Sequence, residues 1–82
     1  MTTPLKHLKA RNLKQFGQQI QRLRKARGLS QGELAKKVGV RQATISDIEN
    51  GNHANAKNLF PILLELGFEI CFQEIKDLKE QF

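Results

Sequence analysis

Four residues near the middle of the chain have side chains suited to contacting a nucleic acid. Gln42, Ala43, Ser46 and Asp47 recur at helical spacing, so a helix over this segment would present them on one face. The major-groove edges of DNA bases carry donors, acceptors and methyl groups that amide, hydroxyl, carboxylate and methyl side chains match. A compact helical hairpin without DNA contact needs the same apolar positions, but its outer face usually mixes Glu and Lys. These four residues therefore favour a ridge that enters a DNA major groove.

No arrangement of residues suited to catalysis accompanies this face. His7 and His53 have neither a nearby nucleophile nor metal-ligand spacing, and we expect them in a tail and a surface loop. Cys71 is flanked by Glu69 and Glu74 instead of the positive groups that activate a thiol, so we expect it to pack and not to react. The sequence predicts no enzyme, no cofactor and no metal site.

The charge of the chain is concentrated near its start. The 82 residues carry a net charge of +6, and residues 1–32 hold eight Lys or Arg and no acid. This favours a polyanionic partner, nucleic acid before a membrane surface, although a solvated helix face has a similar composition. A single cysteine allows no internal disulfide, and no apolar run is long enough to span a membrane. We expect a cytoplasmic, nucleoid-associated protein.

Glycines divide the first half of the chain into predicted helices. Apolar residues spaced by three and four predict a helix over residues 12–27, ended by Gly28. Ser30 and Glu33 match a capping box, in which each residue bonds to the backbone of the other, and predict the start of a second helix. Gly39 ends that helix because glycine adopts the left-handed conformation easily.

Two further helices are predicted in the second half. The third covers residues 42–50, and Asn55 can cap a fourth helix. Pro61 lies inside that fourth segment and removes a backbone donor. We expect either a bend there or a helix that begins near Asn58, with the proline in its first turn.

The segment 29–51 resembles the helix-turn-helix of the Xre family, which includes the lambdoid phage repressors and Cro proteins. It contains Leu-Ser-Gln, Glu-Leu-Ala, Val-Gly-Val and Ile-Glu-Asn-Gly in order. Two short helices that cross steeply need a small residue, here Ala35, and a turn, here Gly39. The resemblance implies an all-α, compact four-to-five-helix bundle like that of lambda repressor, with the third helix as recognition helix.

The resemblance also implies residue roles. Gln31 is expected to contact phosphate and brace Gln42, which would bind adenine through N6 and N7. Arg24 and Glu49 are expected to form a structural ion pair. Asp47 could accept from cytosine N4 but would repel phosphate. The residues expected to contact DNA are Gln31, Arg41, Gln42, Ala43, Thr44, Ser46, Asp47 and Asn50.

Residues 68–75 change to a period of two, which predicts a C-terminal β-strand with Phe68, Ile70 and Phe72 on one side. A lone strand leaves its backbone groups unpaired. We therefore expect a homodimer in which these strands pair, so that two recognition helices lie about 34 Å apart on a palindrome. The alternative is a strand that folds onto its own bundle or is disordered.

A helix-turn-helix followed by such a strand is similar to the HipB-type antitoxins. The similarity lies in two runs that occur in order, Val-Arg-Gln-Ala-Thr-Ile-Ser and Leu-Gly-Phe-Glu-Ile. This resemblance implies a repressor that binds a palindromic operator in double-stranded DNA and a HipA-like kinase toxin. Pro61 and a longer basic lead before Asn12 depart from the family. The alternatives are a phage-type or restriction-control repressor without a toxin, or an interaction module that has lost DNA binding.

The expected segments are a basic extension (1–11, a tail or a DNA-contacting arm), a DNA-binding domain (12–67), a dimerisation strand (68–75) and a tail (76–82).

Overall fold

Four α-helices make up the regular structure of residues 7–75, the part of the chain that the computed structural model describes. They are α1 (Leu13–Ala26), α2 (Gln31–Val38), α3 (Gln42–Glu49) and α4 (Ala56–Glu65). The all-α prediction is confirmed for these residues, and the first three helices agree with their predicted bounds to within one residue. For α1 and α2 the agreement follows from side-chain caps: Asn12 accepts from the Gln15 backbone N–H, and Ser30 forms the predicted capping box with Glu33.

The hydrophobic core lies where one face of each helix meets the others. α3 is the central element, because both α1 and α2 pack against it, while α4 packs against α2. Complete burial of an aliphatic side chain contributes about 1.5–3 kcal/mol, so these residues dominate the stability of the bundle. The buried apolar residues are Ile20, Leu23, Leu34, Ala35, Ile45, Ile48, Ile62, Leu63 and Leu66.

The predicted cap of α4 at Asn55 is confirmed, whereas the alternative start near Asn58, with Pro61 in the first turn, is wrong. Asn55 caps α4 by accepting from the Lys57 N–H at 3.1 Å, so the helix begins at Ala56. Pro61 therefore lies inside the helix, where the Lys57 carbonyl lacks its usual donor four residues on. Pro61 is exposed, so water can reach this part of the backbone. The Asn55 cap thus places the start of α4 five residues before Pro61.

The strand predicted over residues 68–75 is not present in the single chain. Within the described residues no second segment supplies a hydrogen-bond ladder, and 68–75 belong to no regular element. Phe68 also has a different position from that predicted, since it packs against the core of its own chain. Its N–H donates to the Leu63 carbonyl at 2.8 Å, directly after Gly67 in the left-handed conformation, which closes α4 as a Schellman motif.

The described part of the N-terminal lead lies against its own domain. Leu8 packs on the core, and the Lys9 carbonyl accepts from Gln19 Nε2 at 2.9 Å. Lys9 and Arg11 remain exposed. Residues 1–6 and the predicted tail 76–82 lie outside the described residues. None of the helices within 7–75 has the length and apolar character required to cross a membrane.

Candidate nucleic-acid interface

Helix α3 is anchored by two isoleucines and exposes a polar face. Ile45 and Ile48 are almost completely buried, which fixes the rotation of the helix. The residues predicted to contact DNA lie on or beside its outer face, and Gln31 joins them from the start of α2. Arg41, Gln42, Ala43 and Asn50 are exposed, whereas Gln31, Thr44, Ser46 and Asp47 are half-buried.

The turn between α2 and α3 sets the direction in which α3 leaves the bundle. Gly39 adopts the left-handed conformation with φ of 77°, and the Val40 N–H donates to the Ala35 carbonyl at 3.0 Å. Ala35 is only 3% exposed. Arg41 precedes α3 without any side-chain cap, as its residue type predicts. The N-terminal end of α3 is therefore positioned by the turn and by packing, not by a capping side chain.

Helix α1 holds the C-terminal end of α3 through two glycine contacts. A Cβ atom added to Gly17 would lie 2.1 Å from the Ile48 carbonyl oxygen. A Cβ atom added to Gly51 would lie 2.7 Å from the Cα of Lys14, and Gly51 also has φ of +73°. The backbones of α1 and of the end of α3 thus approach more closely than any side chain allows. The sequence prediction missed Gly17, because a glycine inside a helix carries no signal of its partner.

A buried ion pair joins α1 to α3. Arg24 Nε donates to Glu49 Oε2 at 2.6 Å, and Arg24 Nη2 donates to Oε1 at 3.1 Å. The guanidinium also donates through Nη1 to the Leu29 carbonyl at 2.7 Å. Bidentate pairing of this kind fixes both side chains, and a charge left alone here would be costly. The structure thus brings together the two residues for which a structural pair was expected.

Gln31 extends this hydrogen-bond network to the surface. Its Nε2 donates to Glu49 Oε1 at 3.0 Å, and its Oε1 faces Gln42 Nε2 at 3.5 Å. The carboxylate can only accept, so it dictates which end of the Gln31 amide points outward. We call Arg24, Glu49, Gln31 and Gln42 the polar relay. Its inner link, from Gln31 to Glu49, was not predicted, because the two residues are 18 positions apart.

The C-terminal half of the outer face has its own contacts. Asn50 Nδ2 lies 3.4 Å from Ser46 Oγ, and Nε2 of His53 lies 3.8 Å from Oδ2 of Asp47. His53 belongs to the loop after α3, as expected, but its proximity to Asp47 was not predicted. In residues 7–75 no three His, Cys, Asp or Glu side chains are grouped to hold a metal ion.

A shifted pKa belongs to Glu33, a carboxylate in the first turn of α2. The pKa of Glu33 lies below its ordinary value of 4.5, mainly because the Ser30 backbone N–H and then the Ser30 hydroxyl hydrogen-bond to its carboxylate. Lys37 contributes a smaller Coulombic effect in the same direction. Glu33 is therefore ionised at neutral pH, and its capping box with Ser30 fixes the first turn of α2, where Gln31 lies.

Two short helices joined by a left-handed glycine turn, with an anchored second helix that presents polar side chains, define a helix-turn-helix protein. The helix-turn-helix family model matches residues 20–72, and the chain belongs to this Xre-like family. The match includes α2, α3 and α4 together with the second half of α1.

Among curated proteins, the chain is similar to the HipB antitoxins of two Escherichia coli strains. It is 40% identical to each over 60 residues, which cover 70% of this chain and 64% and 68% of the two relatives. The matched segment thus spans about two thirds of the length of these relatives. A regulator of Bacillus subtilis, RghRB, is 50% identical over 42 residues, covering 51% of this chain and 30% of its own.

Solved structures share the fold. A chain of the HipA-HipB-O2-O3 complex aligns with a TM-score of 0.73 and 33% identity, covering 80% of this chain and 94% of that chain. The restriction-modification controller protein C.AhdI from Aeromonas hydrophila aligns with a TM-score of 0.65 and 33% identity, covering 70% and 84%.

Proposed function

We propose that this protein is a sequence-specific DNA-binding transcriptional repressor that inserts α3 into the major groove. The observation that carries the proposal is the polar relay, which orients the Gln42 amide at the exposed start of α3. Gln42 donates one hydrogen of its Nε2 to Gln31 Oε1, so its own Oε1 remains available to accept from adenine N6. The second hydrogen on Nε2 donates to adenine N7.

The remaining polar residues of the face contribute contacts of two kinds. Ala43 offers a methyl group to thymine, while Thr44 and Ser46 hydrogen-bond to phosphate or a base edge. Arg41 and Asn50 flank the helix and bind the phosphates on either side of the groove. Basic residues exposed on the same domain increase the electrostatic attraction to DNA and make binding depend on salt.

The active species is a homodimer in which residues 68–75 pair as strands. Several apolar side chains outside the core have no cover within the described residues, which supports this assignment. Phe72 is 97% exposed, and Ile70 is 41% exposed on the same segment. Phe60 and Leu64 lie one turn apart on α4 and are also exposed. A second copy would cover both surfaces and would set the two copies of α3 on successive turns of a palindrome. Phe68 would support the strand from within its own chain.

The protein acts as the antitoxin of a HipBA-like module and binds a HipA-type kinase toxin. Similarity to HipB over 60 residues and to a chain of the HipA-HipB-O2-O3 complex supports this role. Similarity to C.AhdI supports a second candidate, a restriction-control repressor without a toxin. Either role places the protein in the cytoplasm, associated with the nucleoid. In both, residues 12–67 form the DNA-binding domain.

Selection from random double-stranded oligonucleotides tests the DNA-binding function. We expect recovery of a palindromic sequence whose affinity falls with salt at a log–log slope near −0.9 per phosphate contact. If no preferred sequence is recovered, sequence-specific DNA binding is excluded, and an interaction module that has lost DNA binding becomes the better assignment.

The two regulatory roles differ in the partner they require. The gene beside this one should encode a HipA-type kinase, and the two purified proteins should form a complex at micromolar concentration. A neighbouring restriction or modification gene, with no complex to a HipA-type kinase, would support the controller role instead.

A further inference from the structure

Asp47 is the only acid on the exposed face of α3, since Glu49 is buried in the polar relay. Its side chain is 41% exposed and belongs to a surface that the proposed function brings against DNA. A carboxylate facing phosphates is repelled at every sequence. A recognition helix with an acid at this position therefore needs a nearby positive charge.

His53 supplies that charge when it is protonated. Its Nε2 lies 3.8 Å from Asp47 Oδ2, and the histidine side chain is 80% exposed. The 3.8 Å separation exceeds hydrogen-bond distance but lies within ion-pair distance, so the two side chains attract each other when His53 is charged. Histidine is the side chain that ordinarily changes charge between pH 5 and 8. His53 lies in the loop after α3, three residues from Asn50, which the proposed function places against a phosphate.

The elements on either side of this pair each carry a lysine close to the loop after α3 in sequence or in space. The backbone of Lys14 on α1 lies against Gly51, and Lys57 lies in the first turn of α4. Among residues 7–75, Asp47 is the only acid within ion-pair distance of His53.

We propose that protonated His53 is a positioning residue for DNA recognition through Asp47. The imidazolium binds Oδ2, removes the repulsion between the carboxylate and the phosphates, and leaves the other oxygen to accept from cytosine N4. This inference rests on the proposed DNA-binding function. It makes complex formation take up a proton, so the affinity for DNA rises as the pH falls from 8 to 6.

The test measures DNA affinity against pH with the sequence recovered by oligonucleotide selection. We expect wild-type affinity to increase about three- to tenfold between pH 8 and pH 6, because one proton is linked to binding. His53→Gln should remove this increase, and Asp47→Asn should reduce it to less than about half. His7→Gln, which changes the only other histidine in the chain, is the matched control and should keep the wild-type increase. Urea unfolding at both pH values verifies that each variant is folded.

The outcomes separate this inference from the function on which it rests. A wild-type affinity that does not change with pH would overturn the role of His53 alone. An increase that survives in full in Asp47→Asn would also overturn it, because His53 would then act on phosphate without Asp47. Failure to recover any preferred sequence would overturn the DNA-binding function itself. Loss of a cytosine preference in a selection repeated with Asp47→Asn would support the proposed contact.

Discussion

The side-chain amide of Gln31 donates to Oε1 of Glu49 at 3.0 Å, which connects the exposed face of the bundle to its buried ion pair. Glu49 already accepts two hydrogen bonds from Arg24. The buried carboxylate of Glu49 thus sets the orientation of the Gln31 amide. Gln31 Oε1 therefore faces the surface, where it accepts from Gln42 Nε2. Stability and recognition share one network, so variants must be compared by unfolding as well as by binding.

Arg24→Ala should destabilise the protein by about 3–5 kcal/mol, because Glu49 would remain buried without its partner. Urea unfolding measures the change. Lys25→Ala on the same turn of α1 is the control, since Lys25 is exposed, and it should change stability by less than about 0.5 kcal/mol. Equal urea midpoints for Arg24→Ala and wild type would contradict the structural role of the pair.

Gly17→Ala and Gly32→Ala should have opposite effects although both glycines lie in helices. At Gly17 the new methyl group would lie 2.1 Å from the Ile48 carbonyl oxygen, so α1 and α3 must separate at a cost of at least about 2 kcal/mol. At Gly32 the closest atom would be Gln42 Oε1 at 3.6 Å, and replacing a helical glycine stabilises by up to about 1 kcal/mol. Thermal unfolding distinguishes the two. A neutral Gly17→Ala would mean that the helices do not approach this closely.

Glu33→Gln should lower stability at neutral pH and have little effect in acid. The pKa of Glu33 is lowered in the folded state, so its contribution is present above the ordinary value of 4.5. That contribution is lost as the pH falls through the lowered folded-state pKa. The difference in urea midpoint between wild type and Glu33→Gln should therefore shrink from pH 7 to pH 3. A difference that stays constant over this range would show that the carboxylate is not held by the Ser30 backbone.

Short-range sequence patterns predicted the helices and most of the residues on the outer face of α3. Contacts between segments far apart in the sequence could not be predicted from such patterns. The capping box at Ser30 and the left-handed turn at Gly39 are short-range features, and the structure has both. The contact of Gly17 with Ile48 and the proximity of His53 to Asp47 depend on how whole helices and loops pack. Periodicity alone also predicted a strand after α4, but a strand requires a partner, and no other segment of residues 7–75 supplies one.

Phe72→Ser should convert a dimer to a monomer at micromolar concentration, because it removes the most exposed aromatic side chain of the proposed interface. Sedimentation velocity measures the mass. Leu13→Ser is the control, since Leu13 is exposed at the start of α1, away from α4 and residues 68–75, and it should leave the dimer intact. A wild-type protein that sediments as a monomer would exclude the paired strands.

The most direct test of DNA recognition compares Gln42→Ala with wild type on the selected sequence and on its single-base variants. We expect a loss of about 1–3 kcal/mol in binding, restricted to one base pair in each half-site. Gln18→Ala, an exposed glutamine on α1, should bind as wild type. Affinity reduced equally for every sequence, or not reduced at all, would contradict base reading by Gln42.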